Sequence, residues 1–169
     1  VEQLLSEAGY EHYETSAHAR PGRRCQHNLN YWGFGDYVAI GAGAHGKLTT
    51  PGGPPGSGQQ AKIVRTERVK QPRDYMQKAL SADPASCVFE RREVTRGEVG
   101  FEFMLNALRL TEGFPVAWFS ERAGYPVSLV SRALDEAERE GLLVRTHEVV
   151  RPTERGQRFL NRMLEKFLT

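Results

Sequence analysis

The sequence predicts a mixed α/β first part that gives way to an α-rich second part. Three observations carry this. A helix face, a glycine and a strand stand in direct succession at the start. A small-and-apolar run and a second strand-like segment occupy the middle. From Val94 onward the spacing turns helical, interrupted by one hairpin. At 169 residues the chain has room for one medium domain or two small ones.

Val1, Leu4, Leu5 and Ala8 fall at the i, i+3, i+4, i+7 positions of a helix face, and Gly9 stands where such a helix ends. Tyr10 to Ala19 mixes aromatic and polar residues in rough alternation and reads as one strand, closed by a Pro21-Gly22 turn. Helix, glycine, strand is half of a repeating α/β unit. Asp36 to His45, "DYVAIGAGAH", reads as a strand buried on both faces. Residues 49–60, "TTPGGPPGSGQQ", have the composition of a flexible loop. Ala61 to Lys70 resumes a strand pattern, so the two strands can form a long-looped hairpin. Pro72 then precedes a short helix over Arg73 to Ala82.

In the second part, Phe101, Met104, Leu105 and Leu108 share one predicted helix face. Val116 to Ala123 is a short helix ended by Gly124. A further helix starts with Ser128 as N-cap and stops before Gly141. "LLVRTHEVVRPT" reads as a hairpin, and the last helix buries Phe159, Leu160, Met163, Leu164 and Phe167. Helix, short helix, helix, hairpin, helix is the outline of a winged helix-turn-helix. The expected domains are therefore residues 1–84 and residues 94–169.

Composition excludes little. A net charge of +2 does not imply nucleic acid or membrane. No apolar run approaches the ~20 residues of a membrane span. Two cysteines, Cys25 and Cys87, fit free thiols in a reducing cytosol, and no C-x-x-C or C-x-x-x-C offers a cluster site. The start lacks Met and the basic region of a signal peptide, as expected of an excerpt from a longer chain. DNA binding is disfavoured. The would-be recognition helix, Ser128 to Glu140, carries two arginines against four acids, whereas a phosphate-facing helix should be basic.

Gly41 to Gly46 spells a literal G-x-G-x-x-G. Such a motif binds a pyrophosphate only where it opens a helix. Here Thr49-Thr50-Pro51-Gly52-Gly53 follows, so a dinucleotide site is excluded. Gly41 and Gly43 are expected to let a neighbouring backbone or a ligand approach closely. In "HNLNYW", His27 could ligate a metal or a haem iron, and Tyr31 and Trp32 could wall a planar ligand. A lone histidine is more often a hydrogen-bonded structural residue, and the residues alone leave both readings open. No second Cys/His pair stands at zinc spacing.

Taken together, "YETSAHARPGRRCQHNLNYWGFGDYVAIGAGAHG", "EFMLNALRLTEGFP" and "GLL…RPTERGQRFLNRML" resemble the later part of the radical-SAM coproporphyrinogen III oxidase-like family. The H-N-x-x-Y-W of His27, Asn28, Tyr31 and Trp32 marks its haem chaperone branch. The resemblance covers nearly the whole chain apart from the 49–60 insert. It departs at Ala39, where the family often has glycine.

The resemblance implies that residues 1–84 are the last elements of a partial TIM-like radical-SAM barrel, followed by a winged-helix-like domain. It implies a cytoplasmic parent protein holding S-adenosylmethionine and a [4Fe–4S] cluster, whose cysteines would lie before Val1. Haem is the implied cargo, passed to an acceptor protein. His27, Asn28, Tyr31 and Trp32 are the implied haem contacts, and Gly41, Gly43 and Ala44 the implied S-adenosylmethionine side of the barrel. The alternative is oxygen-independent coproporphyrinogen III dehydrogenase activity, which this excerpt without cluster cysteines would not perform alone. Barrel strands in isolation expose their edges, so a homodimer of the fragment, or disorder in residues 1–60, is expected.

Overall fold

The computed structural model describes residues 1–53 and 61–168. Packing divides the chain into two compact units, Val1–Phe34 with Arg96–Thr169, and Gly35–Thr95. These units are drawn by contacts within this chain. The expected boundaries at 1–84 and 94–169 concern membership of a larger barrel.

The first unit opens with α1 (Glu2–Glu7), which Gly9 ends. β1 (Glu11–Glu14) and β2 (Ala17–Ala19) then pair antiparallel. The expected single strand over 10–19 is thus a tight hairpin. Its reversal at Thr15-Ser16 is held by polar bonds that a straight strand would lose. The Ser16 hydroxyl donates to Glu14 Oε1 at 2.9 Å, and the Thr15 amide donates to the Arg109 carbonyl at 3.0 Å. After the Pro21-Gly22 turn comes α2 (Gln26–Trp32).

The second unit corrects the strand expected over 36–45. Tyr37 alone bridges to Lys47, and Ile40 is 81% exposed. The reason is the backbone of Gly41 (φ 103°) and Gly43 (φ 68°), a left-handed conformation that ends any extended run. The strand begins at the last residue of that run: β3 (His45–Thr50) pairs antiparallel with β4 (Lys62–Arg68), from His45 opposite Glu67 to Thr50 opposite Lys62. The long-looped hairpin is therefore present, with a shifted first strand. The flexible loop expected over 49–60 loses Thr49 and Thr50 to β3, and its residues 54–60 lie outside the described residues. α3 (Pro72–Ala79) follows, and β5 (Val88–Glu93) adds to β4 on its free edge. Lys47 is buried and donates to Asp36 Oδ1 at 2.7 Å and Thr49 Oγ1 at 2.8 Å. Burial pushes the Asp36 carboxyl up, but the donors Lys47 and Thr49 outweigh it and hold Asp36 below its usual range.

The chain then returns to the first unit with α4 (Arg96–Ala107), β6 (Phe114–Pro115), α5 (Ala117–Ala123), α6 (Ser131–Arg139), β7 (Leu143–Arg145), β8 (Val149–Pro152), α7 (Glu154–Arg158) and α8 (Leu160–Glu165). The small sheet has the order β6-β8-β7, antiparallel throughout. Three details differ from expectation. On α4 the inward face is Val99, Phe103, Met104 and Ala107, and Leu105 is 41% exposed. The helix carries apolar residues on more than one side, and the side turned inward is the one that carries Phe103 among three other rings. Ser128 lies in a 3₁₀ turn over Val127–Val130 and accepts through its carbonyl from the Ser131 hydroxyl, so it is not the N-cap. The last helix breaks at Phe159, whose ring is exposed. Thr153 caps α7 by accepting from the Gly156 amide at 3.0 Å, and the break lets α8 turn Met163 and Leu164 inward.

Phe103 centres the core of this unit, its ring 5.3 Å from Phe34, 5.2 Å from Phe114 and 5.0 Å from Phe119. The two closest pairs are edge-to-face, the arrangement that aromatic quadrupoles favour. Truncating this ring opens a cavity against three others. Phe103→Ala is expected to cost about 3–5 kcal/mol in urea denaturation. A loss under about 1 kcal/mol would show that the cluster is not the core.

Candidate functional site

The residues His27, Asn28, Tyr31 and Trp32 all lie on α2. The helix is short, with no side-chain cap at Cys25, and it ends at Gly33. Propensity does not hold so short a helix; its neighbours do. Side chains four apart share a helix face, which sorts the motif into two pairs. His27 and Tyr31 form one, with ring centroids 6.5 Å apart and His27 exposed. Asn28 and Trp32 form the other and point into the unit. Asn28 Nδ2 donates to the Tyr13 hydroxyl at 3.2 Å. Tyr31 meets the Trp32 ring edge-on at 4.6 Å.

Three arginines hold α2 in place. At its start, Arg24 makes a two-pronged bond to Glu112, each prong 2.6 Å, and a third bond to Glu11 at 3.1 Å. The Arg24 guanidinium holds the Glu112 carboxyl below its usual range, so this pair is intact at neutral pH and lost on acidification. At its end, Arg122 donates to the Gly33 carbonyl at 2.6 Å while lying over Trp118 at 3.8 Å. Beneath it, the Arg109 guanidinium sits over the Trp32 ring at 4.3 Å. Arg109 also faces Glu14, 3.5 Å away and with a side chain only 2% exposed. Sequence reading missed these partners. Arg24 and Glu112 are 88 positions apart, and no local spacing announces such a pair.

Gly41, Gly43 and Ala44 belong to the other unit. Their three amides are already engaged: Gly41 donates to the Tyr75 hydroxyl at 3.1 Å, Gly43 to the Val69 carbonyl at 3.0 Å, and Ala44 to the Gly41 carbonyl at 3.3 Å. The G-x-G-x-x-G runs into β3 rather than a helix, so it lacks the dipole a pyrophosphate needs. Among the described residues no group of three or more His, Cys, Asp or Glu could hold a metal ion. Cys25 and Cys87 are unbridged. The residues of this chain therefore do not fit an iron–sulfur cluster.

Sequence comparison adds what geometry alone leaves open. A family model of the HemN C-terminal domain matches residues 94–159. The chain is 43% identical to the Escherichia coli protein named heme chaperone HemW over 98% of its own length. It is 41% identical to the Haemophilus influenzae heme chaperone HemW over 99%. The chain is homologous to the heme chaperone HemW proteins. It spans 40% of the length of each of these two relatives. Among solved structures it matches Escherichia coli coproporphyrinogen III oxidase (HemN), described as a radical SAM enzyme, with a TM-score of 0.60, covering 99% of this chain and 39% of that one. At 12% identity that likeness concerns the fold: a mixed α/β region of the HemN type.

If Arg109 neutralises Glu14 beneath α2, its removal strands a buried carboxylate. Arg109→Leu is expected to cost about 3 kcal/mol in thermal or urea unfolding. Adding Glu14→Gln should return part of that loss. Simple additivity of the two losses would contradict the coupling.

Proposed function

We propose that this chain is the C-terminal part of a haem chaperone and that α2 is its haem-contacting element. The observation that carries this reading is the sorting of H-N-x-x-Y-W: Asn28 and Trp32 bind inward, while the exposed His27 and the half-buried Tyr31 stand together on a separate face, rings 6.5 Å apart. In the proposal His27 supplies a nitrogen to the haem iron and Tyr31 a flat apolar wall. Asn28 and Trp32 act by holding the helix. The homology to heme chaperone HemW proteins supports the cargo.

The remaining parts of the proposal concern the complete protein. Its upstream portion would form the radical-SAM barrel with S-adenosylmethionine and the [4Fe–4S] cluster, and residues 1–84 would complete that barrel before a winged-helix-like domain. Gly41, Gly43 and Ala44 would meet S-adenosylmethionine through van der Waals contact, since their amides and the carbonyls of Gly41 and Ala44 are engaged. A haem-acceptor protein is the partner, the cytoplasm is the place, and a fragment dimer covers the open barrel edge. No helix among the described residues is long and apolar enough to cross a membrane.

The test is a haem titration of the complete protein and its His27→Ala variant. The proposal expects weaker binding and a shifted Soret band in the variant. An unchanged affinity and band would remove His27 as a ligand. The alternative, coproporphyrinogen dehydrogenase activity, is favoured only by the HemN fold. Formation of protoporphyrinogen by the cluster-loaded protein would establish it.

A further inference from the structure

We infer that His12 and His18 form a binding site for a late first-row divalent cation, Cu²⁺ or Zn²⁺, on the β1–β2 hairpin. The two are directly opposite each other in the antiparallel register. Their rings stack with centroids 4.4 Å apart and planes 13° from parallel. In both, Nε2 is buried and has no hydrogen-bond partner. A neutral imidazole carries one N–H and one lone pair, and a buried polar nitrogen left unbonded carries a desolvation cost. A cation that accepts the lone pairs of both nitrogens would satisfy the two at once.

Directly opposite residues have Cβ atoms about 4.5–5.5 Å apart. Metal–imidazole bonds of about 2.0–2.1 Å place two ligating nitrogens roughly 3.3 Å from each other. The ligated form requires each ring to turn about its Cβ–Cγ bond until the two Nε2 atoms converge. Imidazole nitrogens select Cu²⁺ and Zn²⁺ over the hard cations, which prefer oxygen. The site is distinct from α2. Successive strand residues point to opposite faces, and Tyr13, next to His12, is the one that meets Asn28. His12 opens instead onto a pocket of about 400 Å³ whose charged lining is Glu2, Glu154 and Arg158. The two carboxylates outnumber the one guanidinium, so the local charge still favours a cation. No third ligand completes the set among the described residues, so water fills the remaining positions and the ion exchanges readily.

The test is a Cu²⁺ titration of the haem-free protein, followed by electron paramagnetic resonance, on wild type, His12→Phe and His18→Phe. Phenylalanine keeps an aromatic ring in the stack and removes one ligand. The inference expects one Cu²⁺ with nitrogen hyperfine structure in wild type, and at least a tenfold loss of affinity in either variant. Folding of the variants is checked by circular dichroism. On wild type alone, Zn²⁺ should shift the Nε2 resonances of His12 and His18 together in nitrogen-15 spectra. Cu²⁺ binding that survives both substitutions, or Nε2 resonances that do not respond to Zn²⁺, would overturn the site.

Discussion

Phe34 holds a left-handed backbone, φ 61°, in a residue that adopts it only at a cost of about 1–3 kcal/mol. Its ring is buried against Phe103 at 5.3 Å. Burying such a ring returns about 1.5–3 kcal/mol, and the aromatic pair adds a further fraction. The strained turn and the buried ring therefore offset each other, and both are needed. The turn ends α2 at Trp32, and the ring anchors that end to α4.

Given that anchor, the arginines explain why a helix of seven residues stays formed. Arg24 and Arg122 engage its two ends, and Arg109, lying over Trp32, carries the charge that lets Glu14 stay buried. The H-N-x-x-Y-W pattern thus has a division of labour that follows from helical spacing alone. One i, i+4 pair, Asn28 and Trp32, is spent on attachment, and the other, His27 and Tyr31, lies on a separate face. A helix fixed from behind would bind any ligand without the entropy loss of ordering it first.

Much of this fold was legible in the sequence where local rules decide. The helix face of Val1 to Ala8, the hairpin near Leu143 to Pro152 and the helix ended by Gly124 are set by spacing and by terminating glycines. The decoy character of G-x-G-x-x-G was legible too, because a proline–glycine segment follows it. The strand expected over 36–45 failed because composition says apolar and small while Gly41 and Gly43 dictate a turn. The motif residues of α2 were legible through their resemblance. Their supports were not, since Glu14, Arg109, Glu112 and Arg122 come from distant parts of the chain. The facing of His12 and His18 was equally hidden, because it depends on a reversal at Thr15-Ser16 inside what reads as one strand.

The central claim is that the exposed face of α2 meets haem while its inner face holds the fold. Amide hydrogen exchange of the complete protein, with and without haem, tests this directly. The account predicts that haem slows exchange across Gln26–Phe34 and leaves the Phe103 core unchanged. Unaltered exchange in α2, with protection appearing in another segment, would contradict it.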